Sequence, residues 1–156
     1  MGELRFVATA TRKVAAPREA ILGFELDPLN ASRVEPRIRV ANIETGPDGR
    51  PKAWKLEQRV AKVFRLTARA LVMSIDPVIL EVRNNNQVQI STSTVSSEPD
   101  ADGRFTLTYT VEAIPKKGWL LRLNRDRIQA EVDRDINRQI DAAVAILEAD
   151  ARTAAA

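Results

Sequence analysis

A chain with neither histidine nor cysteine has a short inventory of groups with which to do chemistry. Thiol nucleophiles, disulfides, histidine-based triads and the usual zinc ligand sets are excluded. What remains is carboxylates, lysine, arginine, tyrosine and bound water. Tyr109 is the one tyrosine; its phenol can donate to a ligand or act as a weak acid, or it can be a core residue whose hydroxyl reaches the edge. Arg69 can pair with a ligand carboxylate or enolate if it faces inward, or lie on the surface. Gln58 is an amide in a row with Trp54, Leu56 and Val60, where it offers donor and acceptor to a ligand or reaches solvent at the strand end. The acidic residues form no obvious ligand cluster, so neither a metal nor a cofactor is expected.

Positioning these groups falls to a chain of 156 residues, 44% hydrophobic and 29% charged, long enough for one domain with a core or a modest cavity. No run approaches the length of a membrane span. The segment MGELRFVATA has no basic region followed by a purely apolar one, and a cytoplasmic location is expected. The net charge of +3 and pI near 9.6 are mildly basic. Basic residues alternate with acidic ones instead of forming a stripe, so no nucleic-acid partner is expected.

The longest signal is a helix over residues 118–152, where Ile128, Val132, Ile136, Ile140, Val144 and Leu147 recur every three or four positions among charged residues. A four-residue repeat drifts around a helix by about 40° per step, which suits a curved partner. Strands are read at 4–14, 37–45, 53–63, 66–75, 78–83, 87–97 and 104–114, and short helices at 18–26 and 29–34. Gly46-Pro47-Asp48-Gly49 and Glu98 to Gly103 carry hairpin chemistry. In the fourth strand the apolar phase moves from Leu66, Ala68 and Ala70 to Leu71, Met73 and Ile75, which predicts a bulge. In the sixth, Val88, Ile90, Thr92 and Thr94 are read as the inward face, and in the seventh Phe105, Leu107, Tyr109, Val111 and Ala113. The expected architecture is α+β: a seven-stranded, bent antiparallel sheet wrapped around the long terminal helix, with two short helices after the first strand and residues 153–156 as a frayed tail.

This order of elements resembles the START and polyketide cyclase/dehydrase superfamily, the SRPBCC or helix-grip group. The stretch Val14-Ala15-Ala16-Pro17-Arg18-Glu19-Ala20 looks like its strand-to-helix entry, Asp27-Pro28 like the acidic residue between its small helices, and Ile75-Asp76-Pro77 like its turn before the fifth strand. The resemblance spans nearly the whole chain. It implies binding or carriage of a hydrophobic small molecule (a lipid, sterol-like or polyketide-like compound) between sheet and helix. The lining is expected from Trp54, Gln58, Ala70, Met73, Thr92, Tyr109, Ile136 and Ile140, with small residues such as Ala68 and Thr94 leaving room. A filled core is the competing reading of the same residues.

Two other functions stay open beside carriage. One is a metal-free polyketide cyclase or dehydratase working through Tyr109 or Arg69 in the same cavity; the other is a protein-interaction module with a vestigial cavity. The segment Lys116-Lys117-Gly118-Trp119-Leu120-Leu121-Arg122-Leu123 is either a site of transient contact with a membrane surface, through Lys116, Lys117 and Trp119, or simply the first turn of the helix, with Leu120 and Leu123 in its buried stripe.

Overall fold

The computed structural model describes residues 2–61, 64–76, 79–118 and 121–155. Strand β1 (Phe6–Val14) is followed by helices α1 (Arg18–Leu26) and α2 (Asn30–Val34). Six strands come next: β2 (Ile38–Thr45), β3 (Pro51–Ala61), β4 (Phe64–Asp76), β5 (Ile79–Asn85), β6 (Gln89–Pro99) and β7 (Phe105–Pro115). A 3-10 turn at Arg122–Asn124 then leads into the 31-residue helix α3 (Arg125–Ala155). The strands form one antiparallel sheet in the order β1-β7-β6-β5-β4-β3-β2, so the long return from β1 to β2 runs through the two short helices. Gly49 and Gly103 turn the β2–β3 and β6–β7 hairpins with positive φ, a backbone that glycine adopts without strain.

The periodicities explain where the core lies. In β1, Phe6, Ala8, Ala10 and Val14 are buried while their odd-numbered neighbours Val7, Thr9 and Thr11 are exposed. Facing them on α3 are Ile136, Ile140, Ala143 and Leu147, and Ile21 and Phe24 of α1 complete the cluster with Leu107 and Tyr109. Alanines at the contact let backbones come close, so α3 lies along β1, touches β7 and stands away from the middle of the sheet. Polar ties reinforce this docking: Arg12 donates to Asp141 at 2.8 Å and to Asn137 at 2.8 Å. Gln129 donates to the Val7 carbonyl at 2.8 Å.

At the other end of the helix pair, Glu35, just past α2, accepts from Arg37 Nε at 2.9 Å and from Arg138 of α3 at 2.8 Å. Those hydrogen bonds hold its carboxyl below the usual carboxylate range. Arg33 of α2 also pairs with Asp150 at 2.9 Å. Thus α3 is packed onto β1 by apolar contacts and joined by charge to α2 and to Glu35 just past it.

Three expectations are corrected. The helix begins at Arg125, not Gly118: Gly118 lies against Leu4, where a Cβ would stand 3.1 Å from that side chain. The tight turn it makes gives three-residue hydrogen bonds, Leu121 to Gly118 and Asn124 to Leu121. Leu123 is accordingly 94% exposed and not part of the buried stripe; Trp119 and Leu120 lie outside the described residues. At its far end α3 continues through Thr153 to Ala155, where a frayed tail was expected. The bulge in β4 is present, between Val72 and Ser74 opposite Val82 and Glu81, but it comes later than the apolar pattern suggests. Leu71 and Met73 therefore remain on the outer face, 42% and 48% exposed.

Two outcomes test this account. Ile140→Ala should lower unfolding stability by about 2–5 kcal/mol and Met73→Ala by less than about 0.5 kcal/mol, measured by urea denaturation. Because the folded-state pKa of Glu35 is depressed, its contribution is present above the ordinary carboxylate pKa and lost as pH falls through the lower folded value. Glu35→Gln should therefore lose less stability than wild type between about pH 6 and pH 3.

Candidate functional site

The stand-off of α3 from the middle of the sheet leaves two adjoining pockets. The inner one, about 200 Å³, is walled by Phe24 and Glu25 of α1, Ala31 and Val34 of α2, Trp54 and Leu56 of β3, and Leu80 and Val82 of β5. Val95 and Tyr109 form its floor, and Ile136 closes it from α3. The outer one, about 410 Å³, lies between the same helix and Gln58, Asn86, Gln89, Ser91 and Ala113. The two share Ile38, Leu56, Asn84, Ser93, Ile136 and Gln139. An apolar inner pocket thus adjoins a vestibule of mixed polarity, where Gln58, Asn86, Gln89 and Ser91 stand beside Leu66, Val111, Ile128 and Val132, an arrangement that can take a ligand with one greasy and one partly polar end.

At the bottom of the inner pocket the Tyr109 hydroxyl donates to the Glu25 carboxylate. Burial pushes the Glu25 carboxyl up from its ordinary value to about 7, although the hydrogen bond from Tyr109 works in the opposite direction. The Tyr109 phenol is raised too, by burial first and by the neighbouring charge second, so it stays a proton donor. The pair can bind a polar group or move a proton near neutrality. Asn84 adds a buried Oδ1 with no hydrogen-bond partner.

The residues singled out from the sequence are distributed unevenly over this site. Trp54 and Tyr109 line the inner pocket, Gln58 the outer one, and Ile136 both. Ala70 is fully buried beside Trp54 but lines neither pocket. Ile140 is likewise fully buried, one turn beyond the pocket-lining Ile136, in the core cluster shared with β1. Met73 is on the outer face for the reason given above. Thr92 is also outward: β6 pairs Val95 with Tyr109 and Ser97 with Leu107, so its odd-numbered residues face the helix, while Thr92 sits opposite Glu112. Arg69 is on the outer surface, 3.4 Å from Glu44. Tyr109, Arg69 and Gln58 therefore do not converge.

Glu25, Asn84, Ser91 and Ser93 were not anticipated. For Glu25 a signal existed: it follows Ile21 by four positions and so shares the buried face of α1, an acid where the pattern calls for an apolar residue. For the serines the signal misleads, because a strand lining a polar vestibule turns its hydrophilic face inward and leaves Val88, 46% exposed, outside.

Comparisons with known proteins bear on the fold. No protein-family model matches the chain, and no curated protein sequence does. Solved structures do match. A START superfamily protein from Mycobacterium smegmatis superposes with a TM-score of 0.76 at 15% identity, over 91% of this chain and 97% of that one. The Zhui aromatase/cyclase from Streptomyces sp. R1128 gives 0.67 at 17% identity, over 96% and 94%. The di-domain ARO/CYC protein StfQ from the steffimycin biosynthetic pathway gives 0.75 at 14% identity, over 95% of this chain and 52% of that one. With the sheet order, the two short helices after β1 and the terminal helix, these likenesses identify the architecture as the helix-grip fold, of the START and polyketide cyclase type.

Proposed function

We propose that the chain binds and carries a hydrophobic small molecule in the space between the sheet and α3. The observation that supports this most is the shared wall of the two pockets: an apolar chamber lined by Phe24, Trp54, Leu80 and Ile136 adjoins a vestibule that adds the polar groups of Gln58, Asn86, Gln89 and Ser91. A filled core would leave no such stand-off, and a vestigial cavity would not keep polar atoms aimed into it. Lipid, sterol-like and polyketide-like compounds belong to the size class the chamber and vestibule suit together. Outside the pocket, Lys116 and Lys117 are exposed where the vestibule end of β7 gives way to the turn before α3, which supports a brief contact with a membrane surface during loading.

A second reading rests on one specific feature. A carboxyl that exchanges its proton near neutral pH inside an apolar chamber is what a cyclase or dehydratase for a polyketide-like substrate requires of a general acid or base. In that reading Glu25 moves the proton and Tyr109 holds its carboxylate in place. Arg69, the alternative candidate from the sequence, has no part in it, because it lies on the outer surface.

Uncharged N-phenyl-1-naphthylamine should bind with a fluorescence rise, and native mass spectrometry of protein from its own host should retain a small molecule. Ser93→Phe, which fills the junction of the pockets, should weaken probe binding at least about tenfold, while Thr92→Phe on the opposite face should leave it within about twofold. Equal binding by both variants would sink the pocket reading. Carboxyl-region infrared difference spectra should place the Glu25 titration at about 7, and Tyr109→Phe should move it higher still, since a hydrogen bond that lowers it is gone. Because the folded pKa of Glu25 lies above its unfolded value, stability should fall as pH rises from about 4.5 through 7. Glu25→Gln should remove that loss.

A further inference from the structure

The chain carries a net charge of +3, yet neither pocket is lined by a lysine or arginine among the described residues. Their titratable lining is acidic: Glu25, Asp27 and Glu35 in the inner pocket, Glu131 and Asp135 in the outer. Most of these acids are already engaged. Glu35 is bound by Arg37 and Arg138, Asp27 accepts the Leu29 N–H at 3.0 Å, Asp135 accepts from Arg138 at 3.2 Å, and Glu131 faces Arg127 at 3.7 Å. Glu25 is different. Its hydrogen-bond partner is the neutral Tyr109 phenol, and no cation from α2, β5, β6, β7 or α3 lines the pocket beside it.

Asn84 adds the second observation. Its Oδ1 is buried and unpartnered in the wall common to both pockets. Leaving such an acceptor unsatisfied is costly, and a bound donor would relieve it. Both groups therefore accept hydrogen bonds, and one, Glu25, can carry negative charge.

We propose that the pocket selects an amphiphile bearing a protonated amine, whose apolar body fills the chamber while its ammonium donates to Glu25. This rests on the pocket reading above and narrows it. An ammonium gives a charge-assisted hydrogen bond with Glu25, about twice as strong as a neutral one. A hydroxyl gives only the neutral bond, and a carboxylate is repelled. Trp54 lines the same chamber, and an indole favours a nearby cation over an anion. Free fatty acids and carboxylated polyketides are thereby excluded as preferred cargo.

The test is competition against N-phenyl-1-naphthylamine by octylamine, octan-1-ol and octanoate, which share one chain and differ only in the head. At about pH 8, where the Glu25 carboxyl is ionised and the alkylamine still protonated, octylamine should displace the probe about tenfold more effectively than octan-1-ol. Octanoate should be the weakest of the three. Lowering the pH to about 5.5 should erase the amine preference without changing the alcohol. Glu25→Gln should erase it at pH 8, and Tyr109→Phe, which moves the Glu25 titration upward, should shift the onset of the preference to higher pH. Equal displacement by amine and alcohol in wild type, a preference that survives Glu25→Gln, or tighter binding of octanoate overturns the assignment while leaving the pocket reading intact. Failure of the probe and all three competitors to bind overturns the pocket reading and the assignment together.

Discussion

A helix can come close to a sheet only where the side chains between them are small, and in this protein that condition is met at one end. Ala8 and Ala10 on β1 meet Ala143 on α3, all nearly inaccessible. Beyond this zone the helix and the bent sheet diverge. The interior is thus divided between a close-packed half under β1 and β7 and an open half over β3 to β6. Nothing in the open half needs special construction: it follows from anchoring a straight rod at one side of a curved surface. The charged contacts of Glu35 and Arg33 with α3 then keep the two short helices from closing over the gap or drifting from it.

Two glutamates ten residues apart show how strongly location decides chemistry. Glu35 is surrounded by guanidinium groups and held ionised; Glu25 is surrounded by apolar walls and a phenol and pushed toward neutrality. Identical side chains thereby acquire opposite tendencies, one held ionised in an ion-pair network and the other able to exchange its proton near neutrality, a division that environment alone produces. The mildly basic character of the whole chain gives no hint of it, because the basic residues lie outside and the pocket is acidic.

The architecture was largely legible from residues. The strand alternation in β1 and β7, the proline-bounded α1 and the stripe from Ile128 to Leu147 each report a single buried face, and tertiary packing agreed with them. The site was legible only where its lining is apolar or aromatic, as at Trp54, Tyr109 and Ile136. Where the lining is polar, the rule that hydrophobic residues face inward pointed to the wrong side of β6 and brought Thr92 forward in place of Ser91 and Ser93. Met73 failed for a related reason, since the position of a bulge depends on its partner strand and cannot be read from one strand alone. Ile140 belongs to the right face of the right helix, but a periodic stripe does not say where along its length a helix parts from its sheet.

The open sheet has two outer strands, and each has a feature whose effect reaches beyond the single molecule. Along β2 the pairing with β3 breaks between Ala41 and Glu44, where Asn42 takes a φ of 52°. Along β1, Gln129 of α3 occupies the Val7 carbonyl, the Arg12 guanidinium the Thr11 carbonyl, and Glu148 the Ala15 amide. One border is kinked, and the other has the carbonyls of Val7 and Thr11 and the amide just past its end, at Ala15, already taken. Neither offers the flat ladder of free amides and carbonyls on which a second chain could grow. Both features work against growth of the sheet at its edges into extended β-aggregates.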